Sequence, residues 1–294
     1  MNRFDIVIPC AGRAHDLLRL LGSIHTACAD SLPNECASIT VTDDRFTAGL
    51  GEQVRAAFPA VRYVPGPARG PAANRNNGAA LGAAPWVLFL DDDCYLEADL
   101  LRAYALRIDG APQVEVFEGA IHPVGARPNG NHHAPLNTTG GYLWSCNLLV
   151  ERLVFEAVGG FDEEFPFACL EDCDLMDRFT AQGRLIEFAA DAVVYHPWRS
   201  VSEKEVSRQI ISHAIYAHKH PEFALGWNLI HLLRALKGRV RQYRVGRFST
   251  IPWDKYRTVV FDLVAPVAVY AVMRVAPLRR ALWKRYSNRV AALG

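Results

Sequence analysis

The chain has 294 residues, half of them apolar, which is enough for one large domain with an appendage or for two domains. Its 32 Lys and Arg nearly balance its 31 Asp and Glu. Its seven cysteines are odd in number and form no CxxC pair, which argues against a disulfide framework or a zinc site and fits a reducing cytoplasm.

The near-zero net charge hides a strong asymmetry along the chain. Residues 1–198 contain 14 Lys and Arg against 26 Asp and Glu, whereas residues 199–294 contain 18 against 5. This distribution predicts an acidic, metal-using front half and a tail that binds anionic surfaces.

Neither a signal peptide nor a membrane-spanning helix is expected. The N-terminus runs directly into a strand pattern without an apolar leader segment. The nearest approach to a spanning helix, residues 259–278, is interrupted by Asp262, Pro266 and Arg274. These features predict a cytoplasmic protein.

The front half alternates strands with helices. Apolar runs predict strands over residues 4–9, 38–42, 61–64 and 86–90, with helices near residues 17–28 and 51–58 and another beginning at Pro71. Such alternation predicts a mostly parallel, doubly wound sheet, in which ligands bind beyond the carboxyl ends of the strands.

Two of these strands end in carboxylates, at Asp43-Asp44 and at Asp91–Asp93. Adjacent negative charges repel each other, so a divalent metal with an anionic ligand would stabilise them. The Asp triplet alone is equally typical of a solvated acidic turn. Arg75, on the helix after Pro71, could neutralise a phosphate or pair with a nearby carboxylate.

Further candidates follow in the next hundred residues. After a strand predicted over 114–119, residues 122–141 form a long polar connection in which His132-His133 is more typical of a solvated loop than of a metal site. Glu171 and Asp172 fall in the first turn of a predicted helix, where acids stabilise the helix dipole or supply a general base. A strand over 192–195 leads to His196, a structural residue or a ligand.

The order and spacing of seven motifs resemble glycosyltransferase family 2, the inverting nucleotide-sugar transferases with a GT-A fold. The motifs are Ile6–Pro9, Val41–Asp44, Gly70–Asn76, Phe89–Asp93, Val158–Glu163, Glu171–Leu175 and Tyr195-His196. The resemblance implies an α/β fold, a Rossmann-like, mostly parallel sheet flanked by helices. It places the catalytic domain at residues 1–200, before a basic, mainly helical C-terminal region at 201–294.

The resemblance also implies a donor-nucleotide site formed by Pro9, Ala11, Arg13, Asp43, Asp44, Arg75, Asp91 and Asp92. Asp44 would hydrogen-bond the nucleobase, Asp43 would support its loop, and Asp91 would hold the ribose or donor sugar. Many family members have an aromatic residue where this chain has Ala11. The donor base is therefore less well determined, UDP being favoured, and Phe46 could supply the stacking surface.

For the reaction itself, the resemblance implies a divalent metal, Mn²⁺ or Mg²⁺, held by Asp93 and His196. Asp172 would be the catalytic base that takes the proton of the acceptor hydroxyl. The predicted acceptor-binding residues are Trp144, Glu171 and Trp198.

The C-terminal region combines helical and basic patterns. Helices are predicted over 203–220 and 225–237, and residues 259–273 are apolar. Basic residues recur at 234, 237, 239, 241, 244, 247, 274, 279, 280, 284, 285 and 289, the later ones with Trp283 and Tyr286 among them. This pattern suits an anionic membrane surface, with a helical packing domain or a homodimer interface as alternatives. No recognition motif for nucleic acid accompanies the charge.

Together these features predict a metal-dependent inverting glycosyltransferase that uses a nucleotide sugar. The acceptor would be a hydroxyl of a glycan, a lipid-linked compound or a small molecule, as in polysaccharide biosynthesis, with the enzyme peripheral at the inner face of the plasma membrane. A nucleotidyltransferase acting on a sugar phosphate is an alternative, although the loop at residues 10–13 lacks the expected glycine-rich, lysine-containing sequence. A non-catalytic nucleotide-sugar-binding scaffold is another. The sequence names neither the sugar nor the acceptor.

Overall fold

The computed structural model describes residues 3–31, 38–245 and 251–291. The chain divides into two units. A sheet unit comprises Met1–Val124, Pro135–Glu163 and Glu171–Pro197, and a helical unit comprises Gly125–Ala134, Glu164–Leu170 and Trp198–Gly294. The assignment of catalysis to residues 1–200 and of membrane binding or oligomerisation to 201–294 stays a prediction.

Ten strands occur among the described residues. They are β1 Phe4–Cys10, β2 Ser38–Asp43, β3 Val61–Pro65, β4 Trp86–Leu90, β5 Tyr95–Leu96, β6 Val116–Pro123, β7 His132–His133, β8 Asn147–Glu151, β9 Ile186–His196 and β10 Arg199–Ser200. Eight of them form one sheet in the order β3-β2-β1-β4-β8-β6-β9-β5, while β7 and β10 pair separately. The predicted fold class is confirmed.

The sheet is mixed because β8 and β5 run against their neighbours. Strands β1 to β4 pair in parallel, as does β6 with β9, whereas β8 lies antiparallel between β4 and β6. The sequence pattern did not reveal β8. Only its three central residues, 148–150, form an apolar run, and only pairing with distant strands distinguishes such a run from other buried segments.

Helices cover both faces of the sheet. They are α1 Ala14–Ser31, α2 Ala48–Ala57, α3 Pro71–Ala79, α4 Leu100–Gly110, α5 Arg152–Ala157 and α6 Glu171–Ala181. On one face the apolar side of α1 packs against alternate residues of β1, including Ile6 and Ile8. On the other face Phe89 of β4 packs with Leu175 and Phe179 of α6. This second layer fixes the start of α6, and with it Glu171 and Asp172.

The helical unit contains α7 Glu203–Lys219, α8 Pro221–Gly226, α9 Leu229–Val245, α10 Tyr256–Arg274 and α11 Ala276–Ala291, with a 3₁₀ turn over Trp253–Lys255. The helix predicted over 225–237 is interrupted at residues 227 and 228. The side chain of Asn228 accepts hydrogen bonds from the backbone N–H groups of Ile230 and His231, which caps a new helix and separates α8 from α9. Arg247 lies outside the described residues.

Among the described residues, the segment Trp253–Arg274 is long and apolar enough to cross a membrane, although 44% of its apolar 18-residue window is buried. The sequence predicted that Asp262 and Pro266 interrupt this apolar run. In the structure both residues are buried within the helix α10, which continues past them. Asp262 accepts a hydrogen bond from the Tyr243 hydroxyl at 2.8 Å. Helix α10 packs against α7 and α9, which accounts for its apolar composition.

Six of the seven cysteines lie among the described residues and are free thiols, while Cys36 lies outside them. The described part of the chain therefore contains no disulfide.

Candidate functional site

The carboxylate clusters meet at one edge of the sheet unit. Strand β1 pairs in parallel with both β2 and β4, and Cys10, the last residue of β1, is paired with Asp43. The loops after β1, β2 and β4 therefore leave the sheet side by side. This arrangement brings Arg13, Asp43-Asp44 and Asp91–Asp93 to one edge, as the parallel-strand pattern predicts.

Asp43 connects the loops after β1 and β2 to strand β3. Its buried carboxylate accepts hydrogen bonds from the backbone N–H groups of Gly12 and Arg45 and from the Tyr63 hydroxyl, at 3.0, 2.8 and 2.7 Å. Pro9 is buried within β1, whereas Ala11 is exposed at the start of the following loop. The hydrogen bonds of Asp43 fit the supporting role that the resemblance assigns to it.

Asp44 and Phe46 border the region assigned to the nucleobase. The half-buried Asp44 carboxylate accepts hydrogen bonds from the N–H groups of Ala68 and Gly70, at 2.9 and 3.3 Å. Burial raises the pKa of Asp44 although these N–H groups favour its charged form. Phe46 is 45% exposed and stacks on Tyr63 with ring centroids 5.2 Å apart. The exposed ring of Phe46 therefore supplies an aromatic surface that Ala11, in the loop after β1, does not.

Arg13 holds the second and third acids of the triplet. Its Nε lies 3.0 Å from Asp92 Oδ2, and its Nη1 lies 3.2 Å from Asp93 Oδ2. Asp92 is fully buried, and burial raises its pKa to about 6 despite the opposing effect of the guanidinium. The pairing gives Asp92 a structural partner that sequence analysis did not identify.

Asp93 and His196 lie together, as a shared metal site requires. His196 Nε2 lies 3.2 Å from Asp93 Oδ1, and His196 Nδ1 lies 2.8 Å from the Pro197 carbonyl oxygen. An N–H at Nδ1 can donate to that carbonyl, which leaves Nε2 available to a ligand. Burial favours the neutral imidazole, but Asp93 outweighs it and raises the pKa of His196.

Asp93, Cys94 and His196 have potential ligand atoms within 4.8 Å of one another. The interaction with Cys146, together with burial, raises the pKa of Cys94 well above its usual value, and thiolate sulfur suits softer metals than Mn²⁺ or Mg²⁺. Carboxylate and imidazole suit Mn²⁺, and carboxylate oxygen suits Mg²⁺. By ligand chemistry Asp93 and His196 fit such a cation, whereas the sulfur of Cys94 does not.

Arg75 links this edge to α6. Its Nη2 lies 2.8 Å from Asp91 Oδ1, and its Nη1 lies 2.9 Å from Glu171 Oε1. The guanidinium also lies over the Phe161 ring, 5.4 Å from its centroid. Arg75 therefore makes the carboxylate pairing that was one of the two sequence-based interpretations. Its contact with a nucleotide phosphate stays a prediction.

Asp172 lies next to this pair at the start of α6. It is 5% exposed, and its Oδ1 accepts a hydrogen bond from the Cys173 N–H at 2.9 Å. Burial and the neighbouring charge of Glu171 raise the pKa of Asp172 to about 7, although Arg75 opposes them. A carboxylate with such a pKa can accept a proton near neutral pH.

The two candidate acceptor tryptophans lie in different units. Trp144, in the sheet unit, is partly buried and stacks on the exposed Tyr142 with centroids 6.2 Å apart. Trp198, in the helical unit, donates a hydrogen bond from its indole N–H to the Gly125 carbonyl. Their acceptor roles stay predictions.

Glu118 organises the loop before Trp144 and was missed by sequence analysis. Its buried carboxylate accepts hydrogen bonds from the N–H groups of Gly141, Tyr142 and Leu143, at 2.6, 3.1 and 3.0 Å. Gly140 and Gly141 both have positive φ, and the adjacent glycines were the available sequence signal. The start of this loop belongs to the long polar connection predicted over residues 122–141.

The two histidines of β7 each contact a side-chain amide. The Nδ1 of His132 lies 2.8 Å from Asn129 Oδ1, and the Nε2 of His133 lies 2.7 Å from Gln242 Nε2. Neither histidine belongs to the cluster of potential metal ligands found among the described residues.

Comparison with known proteins gives the family. The sequence matches glycosyl transferase family 2 over residues 5–151, half of the chain. A curated relative, the pre-mycofactocin glycosyltransferase of Mycobacterium tuberculosis, occurs in strains CDC 1551 / Oshkosh and ATCC 25618 / H37Rv. It is 28% identical over 238 residues, 74% of this chain and 48% of the relative. The chain thus spans about half the length of the curated relatives it matches.

Solved structures share the fold at lower sequence identity. S. aureus TarS 1-349 in complex with UDP-GlcNAc is 16% identical with a TM-score of 0.57, covering 99% of this chain and 88% of that one. The mannosyltransferase PcManGT from Pyrobaculum calidifontis, in complex with GDP-Man and Mn²⁺, is 14% identical with a TM-score of 0.53, covering 99% and 84%. From the sequence match, we conclude that the chain belongs to glycosyltransferase family 2, and the solved structures show that it has the GT-A architecture.

Proposed function

We propose that this enzyme moves a sugar from a nucleotide-sugar donor to an acceptor hydroxyl in a single displacement that inverts the anomeric carbon. The observation that carries the proposal is the bridge from Asp91 through Arg75 to Glu171. It fixes the start of α6, and so Asp172, against the strand end that is assigned to the donor. A donor site and a base held by one buried network suit direct transfer between two substrates.

A UDP-sugar is the favoured donor. Asp44 would select the base by hydrogen bonding, and the Phe46–Tyr63 pair offers a stacking surface where the first loop has only Ala11. The fold neighbours include TarS in complex with UDP-GlcNAc and PcManGT in complex with GDP-Man, so the fold accommodates both nucleotide classes. Pro9, Arg13 and Asp92 would shape the floor of the same site.

Asp93 and His196 would hold the divalent cation, Mn²⁺ or Mg²⁺. When bound, such a cation neutralises the negative charge that develops on the departing nucleoside diphosphate. Arg13 contacts both Asp92 and Asp93, which keeps the Asp93 carboxylate oriented toward His196. Asp91, bound to Arg75, would contact the ribose or donor sugar.

Asp172 would be the only carboxylate that exchanges a proton during transfer. Glu171 is held by Arg75, whereas Asp172 makes no ion pair with a described residue and has a pKa near 7. A single base without a second nucleophilic carboxylate suits one displacement and needs no covalent intermediate. Trp144, on the loop ordered by Glu118, would offer a flat surface to a sugar acceptor, with Trp198 and Glu171 as further contacts.

The test compares Asp172→Asn with Asp177→Asn, which removes a carboxylate from the same helix. Purified wild type is screened against nucleotide sugars with Mn²⁺ by measuring nucleoside diphosphate release and product stereochemistry. Asp172→Asn should lose transfer by at least about a thousandfold. It should still bind UDP in calorimetry, and Asp177→Asn should behave as wild type.

The products separate the competing activities. A nucleotidyltransferase would leave the nucleotide sugar intact and would release pyrophosphate only when given a nucleoside triphosphate and a sugar phosphate. A scaffold would bind UDP without turnover even in the wild type. Retained transfer in Asp172→Asn would refute the assignment of the base, and a product with retained anomeric configuration would refute the single displacement.

We also propose that the enzyme works in the cytoplasm at an anionic membrane surface. Helix α9 contains five Lys and Arg and no Asp or Glu. Its Leu229, Ile230 and Leu233 are 58, 57 and 56% exposed, beside the exposed Arg234 and Lys237. Exposed aliphatic residues interleaved with basic ones favour the interface of a bilayer that contains anionic lipids over binding to nucleic acid. A homodimer interface is the alternative use of this surface.

A further inference from the structure

Arg19 reaches from helix α1 to the chain that follows strand β4. Its Nη2 donates a hydrogen bond to the backbone carbonyl oxygen of Asp93 at 3.1 Å, and its guanidinium lies over the Tyr95 ring, 3.9 Å from the centroid. Its Nη1 also lies 2.8 Å from Asp16 Oδ1, one helical turn earlier. A single side chain of α1 therefore contacts both ends of the segment Asp93–Tyr95.

The core fixes the place of Arg19 on α1. The neighbouring Leu17, Leu20 and Leu21 are fully buried and belong to the same apolar layer as Ile6 of β1. Arg19 uses its N–H groups as donors and its planar face against an aromatic ring at the same time. A guanidinium can do both, whereas an ammonium group has no such plane. The contact therefore requires arginine rather than any cation.

Strand pairing connects the segment Asp93–Tyr95 to His196. Tyr95 of β5 is paired with Tyr195 of β9, and His196 follows Tyr195 directly. One end of the segment is thus Asp93 itself, and the other end lies beside the strand that carries His196. The two candidate ligands of the cation are consequently brought together, with 3.2 Å between Asp93 Oδ1 and His196 Nε2, by a short segment that Arg19 contacts.

Arg19 and Arg13 contact different parts of Asp93. Arg13 pairs with the Asp93 carboxylate, whereas Arg19 binds its backbone carbonyl. The first contact restrains the side-chain rotamer, and the second restrains the peptide from which the side chain projects. Neither contact alone would restrain both.

We infer that Arg19 is a positioning residue for the divalent cation, because it holds the segment Asp93–Tyr95 so that Asp93 and His196 face each other. Partners that orient metal ligands without touching the metal typically contribute about 10- to 100-fold to metal affinity. The inference rests on the proposed function, which supplies the cation.

The direction of the change in Mn²⁺ affinity distinguishes positioning from charge. A positive charge repels a nearby cation, so by charge alone Arg19→Gln should bind Mn²⁺ more tightly than the wild type. Positioning predicts the opposite, a loss of affinity of about tenfold or more. Arg19→Lys keeps the charge but not the planar donors, and it should lose affinity by less than Arg19→Gln.

The probe is Mn²⁺, titrated into the full chain with saturating UDP and followed by electron paramagnetic resonance of the free ion. Arg184→Gln is the matched control. The Arg184 side chain is 29% exposed, against 27% for Arg19, and it pairs with Glu115 just before β9, at the end of that strand opposite His196. Arg184→Gln should bind Mn²⁺ as the wild type does.

A second pair of variants changes the ring instead of the arginine. Tyr95→Leu removes the surface on which the Arg19 guanidinium lies and should also weaken Mn²⁺ binding. Tyr95→Phe keeps the ring and should bind Mn²⁺ as the wild type does. Equal affinities in Tyr95→Leu and Tyr95→Phe would contradict a role for this contact.

Two further measurements follow the effect to Asp93. Arg19→Gln combined with Asp93→Asn should weaken Mn²⁺ binding no further than Asp93→Asn alone, because both changes act through one ligand. Without metal, hydrogen exchange over residues 93–96 should be faster in Arg19→Gln than in the wild type.

Unchanged or tighter Mn²⁺ binding in Arg19→Gln would overturn the inference, as would losses that multiply in the double variant. Absence of Mn²⁺ binding by the wild type, even with UDP, would instead refute the cation of the proposed function.

Discussion

Arg75 and Glu171 form an ion pair in which each side chain is only 3% exposed, with 2.9 Å between Nη1 and Oε1. Removing one member of such a pair leaves an uncompensated buried charge, so each residue stabilises the burial of the other. The second arm of Arg75 reaches Asp91, at the end of β4. The ion pair therefore holds Asp172 in place, and the charges of its two members shift the pKa of Asp172 in opposite directions.

Changing Glu171 should therefore move the pH dependence of catalysis. The negative charge of Glu171 raises the pKa of Asp172, and Arg75 lowers it. In Glu171→Gln the repulsion is lost while Arg75 remains, so the pKa of Asp172 should fall. We expect the acidic limb of the kcat profile, near pH 7 in the wild type, to move down by roughly one unit.

The control is Glu115→Gln, which removes a carboxylate paired with Arg184 in the same unit. Its acidic limb should coincide with that of the wild type. A profile that does not move in Glu171→Gln, while activity is retained, would mean that another group sets the acidic limb.

Asp172 should cost stability in the pH range where the enzyme works. Its folded-state pKa of about 7 lies above the ordinary value of 3.8, so the folded chain binds the proton more tightly than the unfolded chain. The stabilisation from protonation is complete below the ordinary pKa and is lost as pH rises through 7. Asp172→Asn should raise the Tm at pH 8 by roughly 2–6 °C.

The same comparison should be made from pH 8 down to pH 4. The difference in Tm between Asp172→Asn and the wild type should decrease steadily over this range, because the wild-type carboxyl becomes neutral in the folded protein. A gain in Tm that is independent of pH, or a loss at pH 8, would show that the carboxylate is not destabilised by burial.

Binding of the divalent cation should depend on Asp93 and His196 but not on Cys94. Asp93→Asn and His196→Gln should each weaken Mn²⁺ binding by about 10- to 100-fold and reduce transfer at low metal concentration. Cys94→Ala removes the third member of the cluster, and its sulfur is not expected to ligate because Mn²⁺ and Mg²⁺ prefer oxygen and nitrogen ligands. Titration of activity and of Mn²⁺ electron paramagnetic resonance against metal concentration measures both effects. Equal loss of metal affinity in Cys94→Ala would contradict the two-ligand assignment.

Much of this edge of the sheet could be predicted because its signals are local. Apolar runs ending in Asp43-Asp44 and Asp91–Asp93 define strands, and parallel pairing then places their ends together. Strand β8 could not be predicted, because its place between β4 and β6 depends on partners distant in sequence. The carboxylate partners of Arg75 depend likewise on how α3 and α6 pack, which no local pattern contains.

The surface of α9 should control membrane association. Burying Leu229, Ile230 and Leu233 in the interface of a bilayer is favourable by about 1 kcal/mol or more per side chain. The triple change Leu229→Ser, Ile230→Ser and Leu233→Ser should therefore reduce flotation with liposomes that contain anionic lipid by at least about tenfold. Wild-type binding should weaken as salt is raised and should be poor on zwitterionic liposomes, because the basic residues of α9 act at the surface.

Leu153→Ser provides the matched control, since this leucine of the sheet unit is 70% exposed and lies outside α9. It should float as the wild type does. Sedimentation of the same proteins tests whether α9 instead forms a homodimer interface. If the wild type is a dimer that the triple change converts to monomer, and flotation is unaffected, α9 would be assigned to that interface. Because all three α9 side chains are exposed, the triple change should leave donor turnover in solution intact, so loss of liposome binding can be separated from loss of fold.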